Sequence, residues 1–332
     1  MSTIIGDIVT LGGGGLELVA NVADGATVTA TLGSKTVTGV SVDGQAVLKI
    51  PQEGKWTVSA TKGSQVSFPR EISISLPATV DFVLPSQELN NTSWAAIKQV
   101  SDANMGANFW AVGDCKEVTL NGKVSDGLTL TNYSAWVFII GFNHNAEREG
   151  NGITFQGFKA TKNGTPVCLT DSGYFLSETG GTWFNMNNTF TNAGGWEACL
   201  MRKNVMPLIK AALPTDLQAV IKPSTIFTTQ GEGNGACTAT EDDVFLLAEY
   251  EIFGKYVFAS SNERNYLKQY AYYAAGNSKV KYRHNDTTTA ASWWERSPYS
   301  DCPEIFCCVN ASGSAYELEA DFSFGVSPCF KV

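Results

Sequence analysis

Residues 299–324 combine side chains whose chemistry suits recognition of another molecule. Tyrosine and phenylalanine give contact area at a low entropic cost, while serine, asparagine and aspartate adapt their hydrogen bonds to a partner. We therefore predict a ligand-binding surface in which Tyr316, Phe322 and Phe324 supply hot-spot area and the acids set the polarity. Its full membership is Tyr299, Ser300, Asp301, Glu304, Ile305, Ser312, Ser314, Tyr316, Glu317, Glu319, Asp321, Phe322 and Phe324. The alternative is an ordinary surface β-hairpin whose apolar members, such as Phe306 and Val309, pack inward.

Rigid residue types flank this segment on both sides. Adjacent tryptophans beside an arginine and prolines more often anchor a loop than bind a ligand. We predict a structural frame made of Trp293, Trp294, Arg296, Pro298, Gly325 and Pro328. The alternative is that Trp293, Trp294 and Arg296 form a site on which a sugar ring stacks.

Catalytic chemistry finds little support in the residue pattern. Cys307 and Cys308 are a candidate thiol pair, but neighbours on a strand point to opposite faces and act together poorly. Neither His144 nor His284 sits in a nucleophile motif, so no Ser-His-Asp set is visible. We therefore predict a binding protein rather than an enzyme.

Metal and cofactor sites are not expected either. The eight cysteines lack a CxxC pair, and only two histidines are present, so zinc is not predicted and the thiols are interpreted as small buried residues. A late disulfide outside the cell is the alternative. Asp301, Glu304 and Asp321 could gather around Ca²⁺, which prefers carboxylate oxygens, but calcium-lectin triplets are absent and the metal stays unassigned.

Bulk composition limits the classes of partner. The chain has 332 residues, 43% of them hydrophobic, and a net charge of −9, which suits a folded protein and argues against nucleic acid or an anionic membrane as the main partner. Residues 1–20 lack the charged and apolar regions of a secretory signal, and no apolar run is long enough to span a membrane. We therefore expect synthesis in a cytoplasm and no membrane insertion.

Residues 1–87 are predicted to form an all-β sandwich. Asp-Gly, Glu-Gly and Lys-Gly turns separate short alternating runs, and strands are expected at 26–32, 35–40, 46–50, 56–60, 71–76 and 79–84. Glycines 12–15 are interpreted as a flexible hinge. Residues 42–47 and 54–58 resemble carboxypeptidase-regulatory-like and immunoglobulin-like modules, which implies a spacing or anchoring role.

Residues 88–332 are predicted to form an α+β domain. Ser93 is a candidate cap for a helix that buries Trp94, Ile97 and Val100. A capping-box spacing at 260–263 predicts another helix, which ends at Gly276. Strands are expected at 108–112, 117–120 and 135–142, and further helical segments at 194–213, interrupted by Pro207, and at 215–217.

Several motifs occur in the order seen in a domain of uncharacterised function found in many gut bacteria and their phages. Residues 93–332 resemble that domain through segments 94–97, 112–116, 141–145, 191–197, 245–247, 251–254, 293–298 and 325–328. The chain departs from the family pattern at three positions. Glu295 replaces a leucine, Ser327 replaces an arginine, and Cys329 replaces a small residue; the change at Ser327 is expected to loosen the frame.

The resemblance implies a C-type-lectin-like fold, related to sulfatase-modifying enzymes and to variable proteins diversified by retroelements. In such variable proteins the C-terminal segment displays mutable residues on a rigid scaffold and binds a target on a host cell. We accordingly expect a receptor-binding protein of a phage virion, in a tail or head fibre. Its partners would be a host cell-surface protein or glycan, other virion proteins bound through the N-terminal module, and further copies of the chain, with a trimer as one form.

Two other functions remain open at this point. The chain could be a purely structural decoration or fibre protein of a virion with no specific receptor. It could also be an enzyme similar to the formylglycine-generating group, whose chemistry needs a reactive thiol pair in a cleft.

Overall fold

The computed structural model describes residues 15–63, 65–173 and 181–332. The chain divides into two compact units between Gln87 and Glu88. Both units are rich in β-strands, as the sequence predicts. The hinge predicted at 12–15 lies, except for its last residue, outside the described residues. Within the three described ranges, no helix is both long enough and apolar enough to cross a membrane.

The first unit is built from short strands that pair into two sheets. One sheet has the order β4-β1-β8, and the other has the order β3-β2-β5-β6 with β7 also paired to β5. The strands are β1 Leu16–Asn21, β2 Thr27–Leu32, β3 Lys35–Val40, β4 Gln45–Ile50, β5 Gly54–Lys62, β6 Gln65–Val66, β7 Arg70–Ile74 and β8 Ala78–Asp81. All the strands predicted for this region are present, and β1 and β6 are additional.

Alternation along these strands produces one core shared by the two sheets. In β4, Leu48 and Ile50 are buried while Val47 between them is exposed. Leu48 belongs to the same hydrophobic cluster as Val28 of β2 and Trp56 of β5, which lie in the other sheet. Two sheets that bury one face each against the other form a β-sandwich, so the predicted architecture of residues 1–87 is confirmed at this level.

The second unit contains several smaller sheets. A five-stranded sheet has the order β15-β21-β11-β10-β9, so β10 lies in its interior, and a three-stranded sheet has the order β18-β19-β20. The remaining strands form a three-stranded sheet, β12-β16-β17, and the hairpin β13-β14. The strands are β9 Cys115–Ser125, β10 Leu128–Phe142, β11 Ile153–Lys159, β12 Val167–Cys168, β13 Ser224–Gly231, β14 Asn234–Asp242, β15 Val244–Phe245, β16 Lys281–Arg283, β17 Asp286–Ala291, β18 Trp293–Pro298, β19 Ile305–Val309, β20 Ala315–Glu319 and β21 Cys329–Lys331.

The helices of the second unit are short. The first begins as predicted, because the Ser93 hydroxyl accepts a hydrogen bond from the Ala96 amide and Trp94, Ile97 and Val100 are buried. The α-helices are α1 Trp94–Asp102, α2 Gly106–Phe109, α3 Ala146–Glu149, α4 Gly195–Ala198, α5 Met206–Ala212, α6 Thr215–Gln218, α7 Glu249–Phe253 and α8 Ala271–Ala274. Turns of 3₁₀ helix occupy Leu89–Asn91 and Ser261–Asn265, and a π-helical turn occupies Met201–Val205.

Three predictions for this unit are wrong in detail. The strand expected at 108–112 is largely occupied by α2 and its C-cap, because Gly106 lets that backbone approach Phe142, whose Cδ1 would lie 2.7 Å from an added Cβ. The full break expected at Pro207 falls at Cys199 instead, and Pro207 lies in α5 directly after the π-helical turn Met201–Val205, so the helical run passes through the proline with a local irregularity before it. The helix expected from Ser260 to Gly276 is only the 3₁₀ turn Ser261–Asn265: Ser260 caps it, but the Glu263 carboxylate accepts from Thr229 and Ser297 instead of completing a capping box.

Candidate ligand-binding surface

The segment predicted to bind a ligand forms a β-hairpin on a buried strand. Strand β18 precedes the segment and is buried along its whole length. Strands β19 and β20 pair antiparallel, with Ile305 opposite Glu319 and Cys308 opposite Tyr316. Phe306 and Val309 are fully buried, as the ordinary-hairpin alternative expects.

Exposure separates the thirteen predicted contact residues into three groups. Asp301, Ser312, Ser314 and Tyr316 are exposed, and the tyrosine keeps 44% of its surface accessible. Asp321 is fully buried, so its assignment to the surface is wrong: the chain has turned back into the core after Ala320. The other candidates are partly buried, namely Tyr299, Ser300, Glu304, Ile305, Glu317, Glu319, Phe322 and Phe324.

The three candidates on β20 do not all share one face. Side chains alternate along a strand, so Tyr316 lies on the face opposite to that of Glu317 and Glu319. Burial raises the pKa of Glu317, and the neighbouring charge of Glu319 raises it further. Strand β20 is at the edge of its sheet. A partner that contacts both Tyr316 and the two glutamates must therefore bind around the edge formed by β20.

A buried asparagine outside the segment positions the loop 299–305. Asn192 is fully buried, and its Nδ2 donates hydrogen bonds to the carbonyl oxygens of Tyr299, Cys302 and Ile305 at 3.3, 2.8 and 2.8 Å. Its own amide donates to the Pro303 carbonyl at 2.5 Å. Sequence reasoning did not assign this role. The signal was the family motif at 191–197, which contains this asparagine.

A second asparagine orders the tip of the hairpin. The Asn310 side-chain oxygen accepts hydrogen bonds from the amides of Ser312 and Ser314, both at 3.0 Å, and from the Ser312 hydroxyl at 2.7 Å. Gly313 adopts a φ of +81°, which most other residues would adopt only with strain. Both loops that carry exposed candidates are therefore held by asparagine hydrogen bonds, from a distant segment at 299–305 and from within the hairpin at 312–314.

Arg296 is the centre of the frame. It is fully buried, and its guanidinium donates to both carboxylate oxygens of Glu251 at 2.6 Å and to the Leu246 carbonyl at 2.7 Å. Glu251 also accepts from the Ala248 amide at the start of α7, at 2.9 Å. This bidentate pair joins β18 to the start of α7 and is the type of geometry that makes a buried ion pair specific.

The two tryptophans complete the frame from inside the core. Trp293 and Trp294 are both fully buried, and their indole N–H groups donate to the carbonyls of Lys279 and Phe184 at 3.0 and 2.8 Å. Since neither ring is accessible, a sugar ring cannot stack on them, and their burial agrees with the anchoring interpretation. Phe324 packs on Trp294 with ring centroids 5.1 Å apart.

The remaining frame residues are buried at close backbone approaches. A Cβ on Gly325 would lie 2.3 Å from the Cys168 sulfur, so only glycine fits. Pro298 and Pro328 are buried, and the Pro328 carbonyl accepts from the Gly157 amide at 2.9 Å. Ser327, which was expected to loosen the frame, is fully buried, and its hydroxyl donates a hydrogen bond to the Gly157 carbonyl.

The cysteines are free and mostly buried. All eight are unpaired, and six are buried; Cys237 and Cys302 are partly exposed. Burial raises the pKa of both Cys307 and Cys308 well above the ordinary value, and nearby glutamates add to the effect. A nucleophilic thiol needs a lowered pKa and access to solvent, and these two have neither.

Two groups of described residues bring possible metal ligands within 4.8 Å of one another. They are His144 with Glu149 and Glu251, and Glu249 with Glu295 and Cys307, and all of these residues are buried. Asp301, Glu304 and Asp321, considered above as possible Ca²⁺ ligands and left unassigned, are not such a group. The reason is that Asp301 stays at the exposed loop while Asp321 is buried.

A cavity lies beside the frame. Its volume is about 480 Å³, which is within the range of small-molecule sites. Its lining includes Asp171, Arg283, Ser292, Phe324 and Gly325. The Asp171 carboxylate is already engaged, because it accepts from the Ser323 hydroxyl at 2.6 Å and from the Phe184 amide at 2.8 Å. Arg283 is exposed and is the cationic member of the lining.

Comparison with known proteins adds one match. The model of a family described as a domain of unknown function, DUF6273, matches residues 170–332. The matched range contains the hairpin, the frame and Asn192, whereas the motifs at 94–97, 112–116 and 141–145 lie before it. No curated protein and no solved structure matches the chain.

Proposed function

We propose that this chain is a receptor-binding protein of a phage virion, and that its second unit has a C-type-lectin-like fold. The β18–β20 sheet and its loops bind a protein or glycan on the host cell, and the N-terminal sandwich attaches the chain to other virion proteins. The chain acts by binding, without a catalytic step or cofactor, and works as a homo-oligomer.

One observation carries the binding proposal. Exposed polar and aromatic groups at Asp301, Ser312, Ser314 and Tyr316 project from a hairpin whose supporting strand is wholly buried and hydrogen-bonded. A preorganised surface of this kind loses little conformational entropy when it binds. The partner therefore meets tyrosine, hydroxyl and carboxylate groups that are held in place before contact.

The test is adsorption of purified protein to host cells. We expect Tyr316→Ala combined with Asp301→Ala to weaken binding by at least tenfold, since hot-spot truncations cost about 2 kcal/mol or more. Both residues are exposed, so the variant should keep the stability of the wild type. Phe324→Ala is a poorer probe because Phe324 also packs on Trp294.

Leu76→Ala is the matched control. Leu76 is exposed to 73% but lies in the first unit, so its truncation removes a similar exposed apolar group from outside the proposed surface. We expect its adsorption to equal that of the wild type. Equal adsorption by all three proteins would contradict the assignment of the hairpin as the binding surface.

A structural role in the virion is the second candidate, and the position of β20 favours it. An edge strand presents backbone groups to which a strand of another chain can pair, and β20 lies at such an edge. In that case the amides of residues 315–319 would be protected from hydrogen exchange in the assembled particle but not in the dilute monomer. Unchanged exchange on assembly would leave the receptor-binding role preferred.

A further inference from the structure

Three buried side chains with metal-binding chemistry converge behind the hairpin. Glu249 comes from α7, Glu295 from β18 and Cys307 from β19, and one ligand atom of each lies within 4.8 Å of the other two. All three residues are fully buried. A tetrahedral zinc ion with bonds of about 2.0–2.3 Å holds its ligand atoms roughly 3.5 Å apart, so small side-chain rotations would close the group.

Glu295 is the member that points to a ligand. Neither of its carboxylate oxygens has a hydrogen-bond partner among the residues that the structure describes, although Glu295 is fully buried. Burying an unpaired charge costs a protein roughly several kcal/mol of folding free energy. Buried charged groups are therefore normally paired with an opposite charge or bound to a metal. The orphaned carboxylate therefore needs either a proton or a cation.

Glu249 is already oriented for coordination. Its Oε2 accepts from the amides of Val257, Phe258 and Ala259 at 2.8–3.2 Å. Within the described ranges its Oε1 accepts only from the Phe258 amide, at 3.0 Å, and a carboxylate oxygen has two lone pairs. One lone pair thus remains for a metal, while the backbone holds the carboxylate in position.

The balance of charge separates this group from the other one. Near His144, the acids Glu149 and Glu251 already have cationic partners, since Lys331 lies 3.8 Å from Glu149 and Arg296 lies 2.6 Å from Glu251. Glu249 and Glu295 form no ion pair within 4.0 Å among the described residues. A divalent cation would therefore relieve repulsion at the second group and create excess positive charge at the first.

The donor set favours one class of ion. A thiolate with two carboxylates suits a borderline-soft divalent ion such as Zn²⁺, whereas Ca²⁺ and Mg²⁺ prefer oxygen ligands alone. We propose that Glu249, Glu295 and Cys307 bind a zinc-type divalent cation that joins α7, β18 and β19 behind the hairpin. Coordination displaces the thiol proton of Cys307 to solvent. The three side chains would fill three of the four positions of a tetrahedral ion, in a group that the spacing of the cysteines and histidines did not predict.

Metal content measured by mass spectrometry tests the assignment. The full chain is produced in zinc-supplemented medium, because a buried site fills during folding, and loosely bound metal is removed with a mild chelator. We expect one zinc ion per chain in the wild type and less than a tenth of that in Cys307→Ser and Glu295→Leu. Leucine leaves no charge to bury, so the second variant should fold without metal.

Cys308→Ser is the matched control. Its thiol is the neighbouring one, equally buried and on the opposite face of β19, and the variant should keep one zinc ion per chain. Cobalt-grown wild type should also show a thiolate-to-cobalt charge-transfer band, which does not depend on any variant folding. Equal zinc content in the wild type, Cys307→Ser, Glu295→Leu and Cys308→Ser would overturn the proposal, whether the common value is zero or not. Absence of the cobalt charge-transfer band would overturn it as well.

The competing arrangement is a metal-free group in which Glu295 carries its own proton. It predicts no bound metal and a higher midpoint of urea unfolding in Glu295→Leu than in the wild type, since the variant removes an unpaired buried carboxyl. The metal site predicts the reverse order of midpoints for zinc-loaded wild type and Glu295→Leu. Metal content and unfolding midpoints are measured without host cells, so failure of the metal site and failure of the proposed function can be told apart.

Discussion

At the scale of single residues, buried charges decide which side chains hold the hairpin in place. Arg296 and Glu251 are both buried, and the guanidinium donates two hydrogen bonds of 2.6 Å to the carboxylate. Such a pair adds modest net stability compared with apolar residues, but loss of one partner leaves the other charged and unpaired in the core. The pair therefore specifies the position of β18.

Arg296→Met should lower the free energy of unfolding by about 3–5 kcal/mol, because it leaves Glu251 buried without its cation. Urea unfolding followed by tryptophan fluorescence measures the change. The double variant Arg296→Met, Glu251→Leu should recover part of the loss, since it removes both charges. A double variant that is less stable than Arg296→Met alone would contradict the ion-pair explanation.

Lys281 is a second buried cation, and it makes stability depend on pH. Its ammonium lies 5.0 Å from the Trp293 ring centroid, and burial lowers its pKa to about 8 from an ordinary 10.5. Because the folded pKa is depressed, the unfolded chain binds more protons between these two values. This group therefore makes folding less favourable below pH 8, and the cost is relieved as pH rises from 8 to 10.5.

Lys281→Met removes that contribution while keeping the length of the side chain. We expect the stability of the wild type relative to the variant to increase between pH 7.5 and pH 10, by an amount up to about 3 kcal/mol on full titration. Chemical denaturation at a series of pH values measures it, with Lys268→Met as an exposed control. A stability difference that is constant with pH would contradict the prediction.

At the scale of elements, the loops of the hairpin depend on asparagines that belong to different parts of the chain. Asn192 reaches the loop 299–305 from a distant segment, whereas Asn310 orders residues 312–314 from within the hairpin. Each loop is therefore controlled by its own polar contacts. The two asparagines can be tested against each other.

Asn192→Ala should speed hydrogen exchange of the Tyr299 and Ser300 amides and cost about 1–3 kcal/mol, since several buried carbonyls lose their donor. Asn310→Ala should instead affect residues 312–314 and leave the amides at 299 and 300 protected. Hydrogen exchange followed by mass spectrometry separates the two outcomes. Equal loosening of both loops in both variants would show that the hairpin moves as one body.

At the scale of the whole molecule, the two units each have their own buried core. The sandwich core contains Trp56, Val28 and Leu48, and all of its buried members lie between Leu18 and Phe82. A unit with a complete core can fold alone. The proposed binding surface lies wholly in the second unit.

A fragment of residues 88–332 should therefore fold by itself and keep the host-cell affinity of the full chain within about twofold after allowance for avidity. A fragment of residues 1–87 should fold, with a buried Trp56, but show no adsorption. Near-ultraviolet circular dichroism checks folding, and cell adsorption checks function. Loss of adsorption by a folded 88–332 fragment would place part of the binding surface in the first unit.

Local patterns in the sequence determined the strands of the sandwich and the start of the first helix. Alternation at 46–50 and the serine before Trp94 act within a few residues, and the structure follows both. The residue types of the frame were equally informative, because adjacent tryptophans beside an arginine and prolines more often anchor a loop than bind a ligand. Trp293, Trp294 and Arg296 are in fact fully buried.

Only the tertiary structure decided which polar residues left the surface. Glu263 has the spacing of a helix cap, yet its carboxylate accepts from Thr229 and from Ser297, on distant strands. Asp321 belongs by composition to an exposed segment, yet it is buried. Glu295 and Cys307 are twelve positions apart in sequence and meet only because β18 pairs with β19 and α7 covers them. Contacts between distant segments have no local signal, since they depend on how the sheets pack.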